Sequence, residues 1–148
     1  MPKIDLSTIP EQSGTNYPAP HDEKVRARRW KRVGEAGGLS LIGVNLCTIP
    51  GGTWSSQMHD HSHEDEFLIV LSGEGRLVTS AGEDTLKRGD MAAFPAKGVA
   101  HHIRNDGSED LVFLVVSNRD ERDGCTYPGI DMKVGPDGIY RHADGTPY

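Results

Sequence analysis

The chain reads as a succession of short apolar runs cut by glycine, proline and aspartate. LSLIGVNLCT (39–48) is apolar and β-branched, and PGG (50–52) turns the chain after it. EFLIVL (66–71) is followed by the turn SGEG and then by RLVTS (76–80). AGED and DTLKRGD lead to MAAFP (91–95), DGSED follows HHIRN (101–105), and LVFLVVS (111–117) closes the series. Strand-length runs at this spacing predict an all-β sandwich or barrel. No amphipathic stretch of helix length follows residue 38, which disfavours a parallel α/β sheet. EFLIVL and LVFLVV are apolar at consecutive positions, whereas a strand with one wet face alternates. Both are therefore expected to be covered on two sides, by the barrel interior and by a second layer or partner subunit, and a homodimer is expected.

The ends differ from the middle. Residues 1–38 are expected to be an N-terminal arm and lead-in, 39–120 the β-barrel, and 121–148 a tail packed on it, all within one domain. Residues 1–23 are polar and proline-rich, which suggests an extended arm. KVRARRWKRV (24–33) has six basic residues in ten and is read as a solvated segment with Val25 or Trp30 tucked in, not as a nucleic-acid patch. The glycine- and proline-rich tail is expected to form irregular loops, some of them across a dimer interface.

Composition narrows the function classes. The 148 residues carry a net charge of −6, which disfavours nucleic acid as a partner because phosphate binding needs a positive surface. No apolar run is long enough to span a bilayer, and MPKIDLSTIPEQSG has no apolar h-region, so the expected location is the cytoplasm and no membrane partner is expected. Cys47 and Cys125 lie far apart without a Cys-x-x-Cys partner and are read as reduced thiols.

The densest chemistry lies in MHDHSHEDEFLIV (58–70). Residues two apart on a strand share a face, so His59 and His61 point the same way, as would His63 if the strand continued. Two imidazoles so placed can grip one metal ion, and a nearby carboxylate would complete a mixed nitrogen and oxygen site. Asp65 and Glu66 are the candidates for that carboxylate, with Glu64 behind them. In HHIRN, His101, Ile103 and Asn105 share the other candidate face, and His101 would be a third imidazole; His102 and Arg104 point away.

At this point the chain resembles the cupin superfamily. Its first motif reads Gly, about five residues, His-x-His, three or four residues, Glu, six residues, Gly. Gly52, His59, His61, Glu66 and Gly73 follow that order, with one extra residue before His59. The second motif reads Gly, five residues, Pro-x-Gly, two residues, His, three residues, Asn. Gly89, Pro95, Gly98, His101 and Asn105 follow it, with one extra residue between Pro95 and Gly98. The flanks GLSLIGVNL, YPGIDM and HADGTPY are similar to small single-domain bacterial cupins, a group sometimes labelled sugar-phosphate isomerases. The resemblance implies a jelly-roll (double-stranded β-helix) barrel, commonly dimeric, with a metal inside one end. It selects Glu66 as the acid, so the implied ligands are His59, His61, Glu66 and His101. His63 falls outside the motif and is read as a rim residue or as a group supporting the ligands from behind.

Such a site would hold one divalent transition metal, Zn, Fe, Mn, Ni or Co, with one or two positions open to a small-molecule ligand. Expected functions are a metal-dependent enzyme on a small polar metabolite, isomerase-like or dioxygenase-like, or a non-catalytic binding or sensing protein with a structural metal. Candidate acid and base groups are His63, Glu64, Tyr127 and Tyr140. Arg76 and Arg104 are candidates to hold a substrate phosphate or carboxylate, beside the simpler reading of each as an exposed strand residue.

Overall fold

The structure, a computed structural model, describes residues 2–148; residue 1, part of the expected arm, lies outside the described residues. A short 3-10 turn at Leu6–Thr8 precedes β1 (Gln12–Ser13), β2 (Arg29–Arg32) and the single-turn helix α1 (Val33–Ala36). β3 (Ile42–Ile49), β4 (Asp60–His61), β5 (Glu66–Ser72), β6 (Glu74–Thr79), β7 (Gly82–Lys87), β8 (Met91–Phe94), β9 (His101–Arg104) and β10 (Leu111–Asn118) follow. The tail adds β11 (Cys125–Thr126), β12 (Lys133–Val134) and β13 (Tyr140–Arg141). No helix among the described residues is long and apolar enough to cross a membrane.

These strands make a jelly-roll β-barrel of two antiparallel layers. One layer has the order β1-β2-β3-β10-β5-β8. The other is built from β7-β6-β9 and β13-β12-β11-β4, joined through a backbone bridge between His59 and His101. Inner positions of both layers form the core: Ile49, Leu68, Val70, Leu86, Ile103, Leu111 and Phe113 are all buried. The register explains how they meet. Phe113 lies opposite both Val70 and Cys47, and Leu111 opposite Ile49, so same-face neighbours stack inward across three strands.

The apolar runs resolve into two faces. In β5, Glu66, Leu68 and Val70 turn inward, while Phe67, Ile69 and Leu71 turn outward. The outer face is apolar yet open: Phe67 is 40%, Leu71 42% and Met91 61% exposed. The interior covers one side of these strands as expected; the second cover is not supplied within the described chain.

Between β5 and β6 the chain reverses at Gly73, with φ +80°. A Cβ there would collide with the Asp110 carbonyl, so the turn needs glycine for both its conformation and its space.

The ends depart from the expected irregular arms. β1 and β2 extend the six-stranded layer, and β11, β12 and β13 extend the other through β4. In the basic segment Val25 is tucked in, as expected, and fully buried; what departs from a solvated segment is β2, which pairs with β3 along its length. Outward Arg29 pairs with Glu11 and Asp110, while Arg28 and Trp30 share the opposite face. A strand alternation was concealed by the run of bases.

Candidate metal centre

Three pieces of backbone bring the site together. β4 carries His61 and holds His59 just before it, β5 opens with Glu66, and β9 opens with His101. His59 and His101 exchange backbone hydrogen bonds of 3.1 and 2.9 Å, which fixes their rings side by side, with centroids 4.8 Å apart. Glu66 comes inward because it shares the face of Leu68 and Val70.

The donor atoms converge on one carboxylate oxygen. Glu66 Oε2 lies 3.1 Å from His101 Nε2, 3.6 Å from His61 Nε2 and 3.8 Å from His59 Nε2. The donor atoms of His59, His61 and Glu66 lie close enough to one another to hold a metal ion, and His101 joins them through its 3.1 Å approach to Glu66 Oε2. The far side of each ring supports that role. His59 Nδ1 faces the Gln57 carbonyl at 2.9 Å, and His61 Nδ1 faces Asp123 Oδ2 at 2.7 Å. Both acceptors favour the Nδ1–H tautomer, which leaves the Nε2 lone pair aimed inward. His101 Nδ1 is 3.4 Å from the Val99 carbonyl, and Phe94 stacks flat on its ring at 3.5 Å.

Electrostatics follow from this crowding. Burial works to raise the Glu66 carboxyl, but hydrogen bonding to His101 and the adjacent imidazoles hold it below the usual carboxylate range. Burial pushes the His59 imidazole down, reinforced by His101 and His61. For His61 burial works downward too, but Cys125, Glu66 and Asp123 outweigh it and raise the ring. A carboxylate kept ionised beside these imidazoles suits a bound cation, which would take the place of the proton that the raised His61 ring otherwise carries.

The four residues line a cavity of about 240 Å³. Its walls include Leu68, Ile103, Phe113, Val115 and Tyr127 and both cysteines, Cys47 and Cys125. Both cysteines are free thiols. A second overlapping group, His61, Asp123 and Cys125, also has donor atoms close enough to hold an ion, but it shares His61 with the first.

Of the candidate acid and base groups, only Tyr127 borders this cavity. Burial holds its phenol well above the usual range, so it stays protonated. Tyr140 packs behind it, with ring centroids 6.4 Å apart. His63 and Glu64 sit in the loop after β4, where their amides donate to Asp123 Oδ1 and the Glu64 carboxylate accepts the Asp120 amide. Arg76 and Arg104 do not reach the cavity. Arg104 pairs with Glu83 and Asp106, and Arg76 bonds Thr85, on the outer side of β6 and β9. His102 does face away from the cavity, but into a covered pocket: it is 5% exposed and lies edge-on to Trp54. Asn105 shares the face of His101, and its amide clamps the carbonyls of Ile49 and Glu109 at 2.7 Å.

Sequence reading missed two site residues. Asp123 comes from the loop before β11 and carried no spacing signal. Arg28 lines the cavity from just before β2, and only its alternation with Trp30 hinted at an inward face.

Residues 45–117 match the cupin domain family. The crystal structure of a sugar phosphate isomerase of the cupin superfamily from Silicibacter pomeroyi is 37% identical, with a TM-score of 0.93, covering 99% of this chain and 96% of that one. A candidate sugar phosphate isomerase from Acidithiobacillus ferrooxidans is 35% identical, with a TM-score of 0.74, covering 80% of this chain and 76% of that one. An oxalate-binding protein from Thermotoga maritima is 37% identical over 68 residues, 46% of this chain. The match spans about half of that relative, 54% of its length.

Proposed function

The chain belongs to the cupin superfamily, and from that premise we propose that it is a metal-dependent enzyme of the sugar-phosphate-isomerase kind, acting on a small polar metabolite. One observation carries the reading: three imidazole nitrogens and the Glu66 oxygen converge at the wall of a cavity that still has room for a ligand. His59, His61, Glu66 and His101 would hold one divalent transition metal. When bound, it supplies a Lewis acid for a carbonyl or enediolate oxygen.

The chain's own groups do the rest. Gln57, Asp123 and Phe94 hold the three rings in place. Leu68, Ile103, Phe113 and Val115 keep one wall apolar, which strengthens electrostatic contacts inside. Tyr127, protonated, is positioned to donate a hydrogen bond to a substrate oxygen. The full-length likeness to the Silicibacter pomeroyi enzyme favours isomerisation. The partial likeness to an oxalate-binding protein favours a second reading, binding without turnover.

The test has two arms. Elemental analysis of the purified protein should find about one divalent ion per chain, and His59→Ala, His61→Ala and His101→Ala should each lower it. Unchanged stoichiometry in all three variants would sink the metal assignment. Loaded protein, incubated in D2O with a panel of aldose and ketose phosphates, should exchange the hydrogen beside the carbonyl, read by NMR. Ligand binding without exchange across the panel would replace the isomerase by the binding reading.

We also propose that the outer face of the six-stranded layer pairs with a second copy of the chain. Its support is the continuity of apolar residues across that face: Met91 lies opposite Ile69, Phe67 opposite Val116, and Leu46 opposite Leu114.

A further inference from the structure

Among the described residues, Arg28 is the only lysine or arginine lining the metal cavity, and no carboxylate lies within 4 Å of it. Its partners are neutral. Nε donates to the Gly14 carbonyl at 3.2 Å and Nη1 to the Ser55 carbonyl at 2.6 Å. The guanidinium lies 5.3 Å from the centroid of the Trp30 ring and 6.0 Å from that of Tyr17. A guanidinium carries five N–H donors, so three remain uncommitted. Neighbouring arginines behave differently: Arg26 pairs with Asp22, and Arg29 with Glu11 and Asp110.

A cation turned into a protein cavity without an anion is undercompensated. Here two carbonyls and two aromatic faces hold it still, so an incoming oxyanion meets a preorganised fork and little ordering cost remains. Arg28 also lines an adjoining cavity of about 200 Å³ with Trp30 and Asn45, so it stands where the two spaces meet. The first cavity, about 240 Å³, is below the roughly 300–1,000 Å³ of drug-sized pockets, which limits the occupant to a small metabolite.

We propose that Arg28 anchors the anionic group of the substrate, a carboxylate or a phosphate monoester on a small molecule whose other oxygens face His59, His61, Glu66 and His101. This inference rests on the reading of those four residues as the metal holder. It replaces Arg76 and Arg104, which are spent on the outer surface, as the anion-binding group.

The experiment titrates the purified metal-containing protein, and its Arg28→Gln and Arg28→Lys variants, with inorganic phosphate and with oxalate by calorimetry, alongside elemental analysis of each sample. The wild type should bind at least one of the two anions, and the preferred one tells phosphate from carboxylate chemistry. Arg28→Gln should weaken that binding by at least about tenfold while the metal content stays the same. Arg28→Lys, which keeps the charge but loses the fork, should fall between them. It also serves if the glutamine variant does not fold, since equal affinity in the lysine variant counts against a bidentate anchor. Oxalate can chelate a metal directly, so affinity that ignores both Arg28 substitutions overturns the proposal, as does a wild type that binds neither anion. Arg28-dependent anion binding in a protein that holds no metal would instead overturn the metal reading and leave the anchor standing.

Discussion

His61 is gripped from both sides. Its Nε2 faces Glu66 and its Nδ1 faces Asp123, a carboxylate–histidine pair of the kind that orients metal ligands. Asp123→Asn keeps an oxygen for the amides of His63 and Glu64 but sets an amide where His61 needs an acceptor. The expected outcome is a folded protein whose metal affinity is about 10–100-fold weaker, measured by competition with a chelator. Equal affinity would show that Asp123 only shapes the loop. The histidines and Glu66 were legible in the sequence because strand parity and motif spacing placed them together. Asp123 was not, because it lies 62 residues from His61 and nothing local marks it. Arg28 was hidden differently, inside a run of bases whose average character is that of a solvated surface.

At the scale of elements, the strands of the barrel interior were legible, down to the four-residue β8 and β9, while the mostly exposed β7 and the two-residue strands were not. β5 and β10 announce themselves by continuous apolar residues, because both of their faces are apolar. β7 buries only Leu86 of its six residues, so DTLKRGD reads as a turn. β11, β12 and β13 have two residues each, too few for any periodicity to register. β3 carries its own prediction through Cys47. Burial pushes this thiol up to about 12, from an ordinary value of 9.0, and burial likewise pushes Tyr17 up to about 12. A group whose folded pKa is raised contributes stability that is complete below the unfolded pKa and is lost as pH rises through the folded one. The melting temperature should therefore fall as pH climbs from about 9 toward 12, and Cys47→Ala should make that fall shallower. An identical slope in the variant would show that the thiol ionises freely in the folded state.

The whole molecule leaves one large apolar face open. Burying Phe67, Ile69, Leu71 and Met91 against a second copy would remove that face from water, the usual reason for such a patch. Light scattering across micromolar concentrations should give twice the 16.1 kDa chain mass, and Met91→Glu with Leu71→Glu should return it to the single-chain value. A wild type that stays at the single-chain mass would exclude this pairing.

The two tryptophans lie one residue removed from the two halves of the site, outside the metal cavity itself. Trp54 meets His102, next in sequence to His101, with ring centroids 4.9 Å apart, and Trp30 lies against the Arg28 guanidinium. The protein thus carries its own pair of fluorophores. Adding metal should change Trp54 emission, and adding an oxyanion should change that of Trp30. Trp54→Phe should silence the first response and keep the second, so that the order in which ion and substrate arrive can be followed without a label.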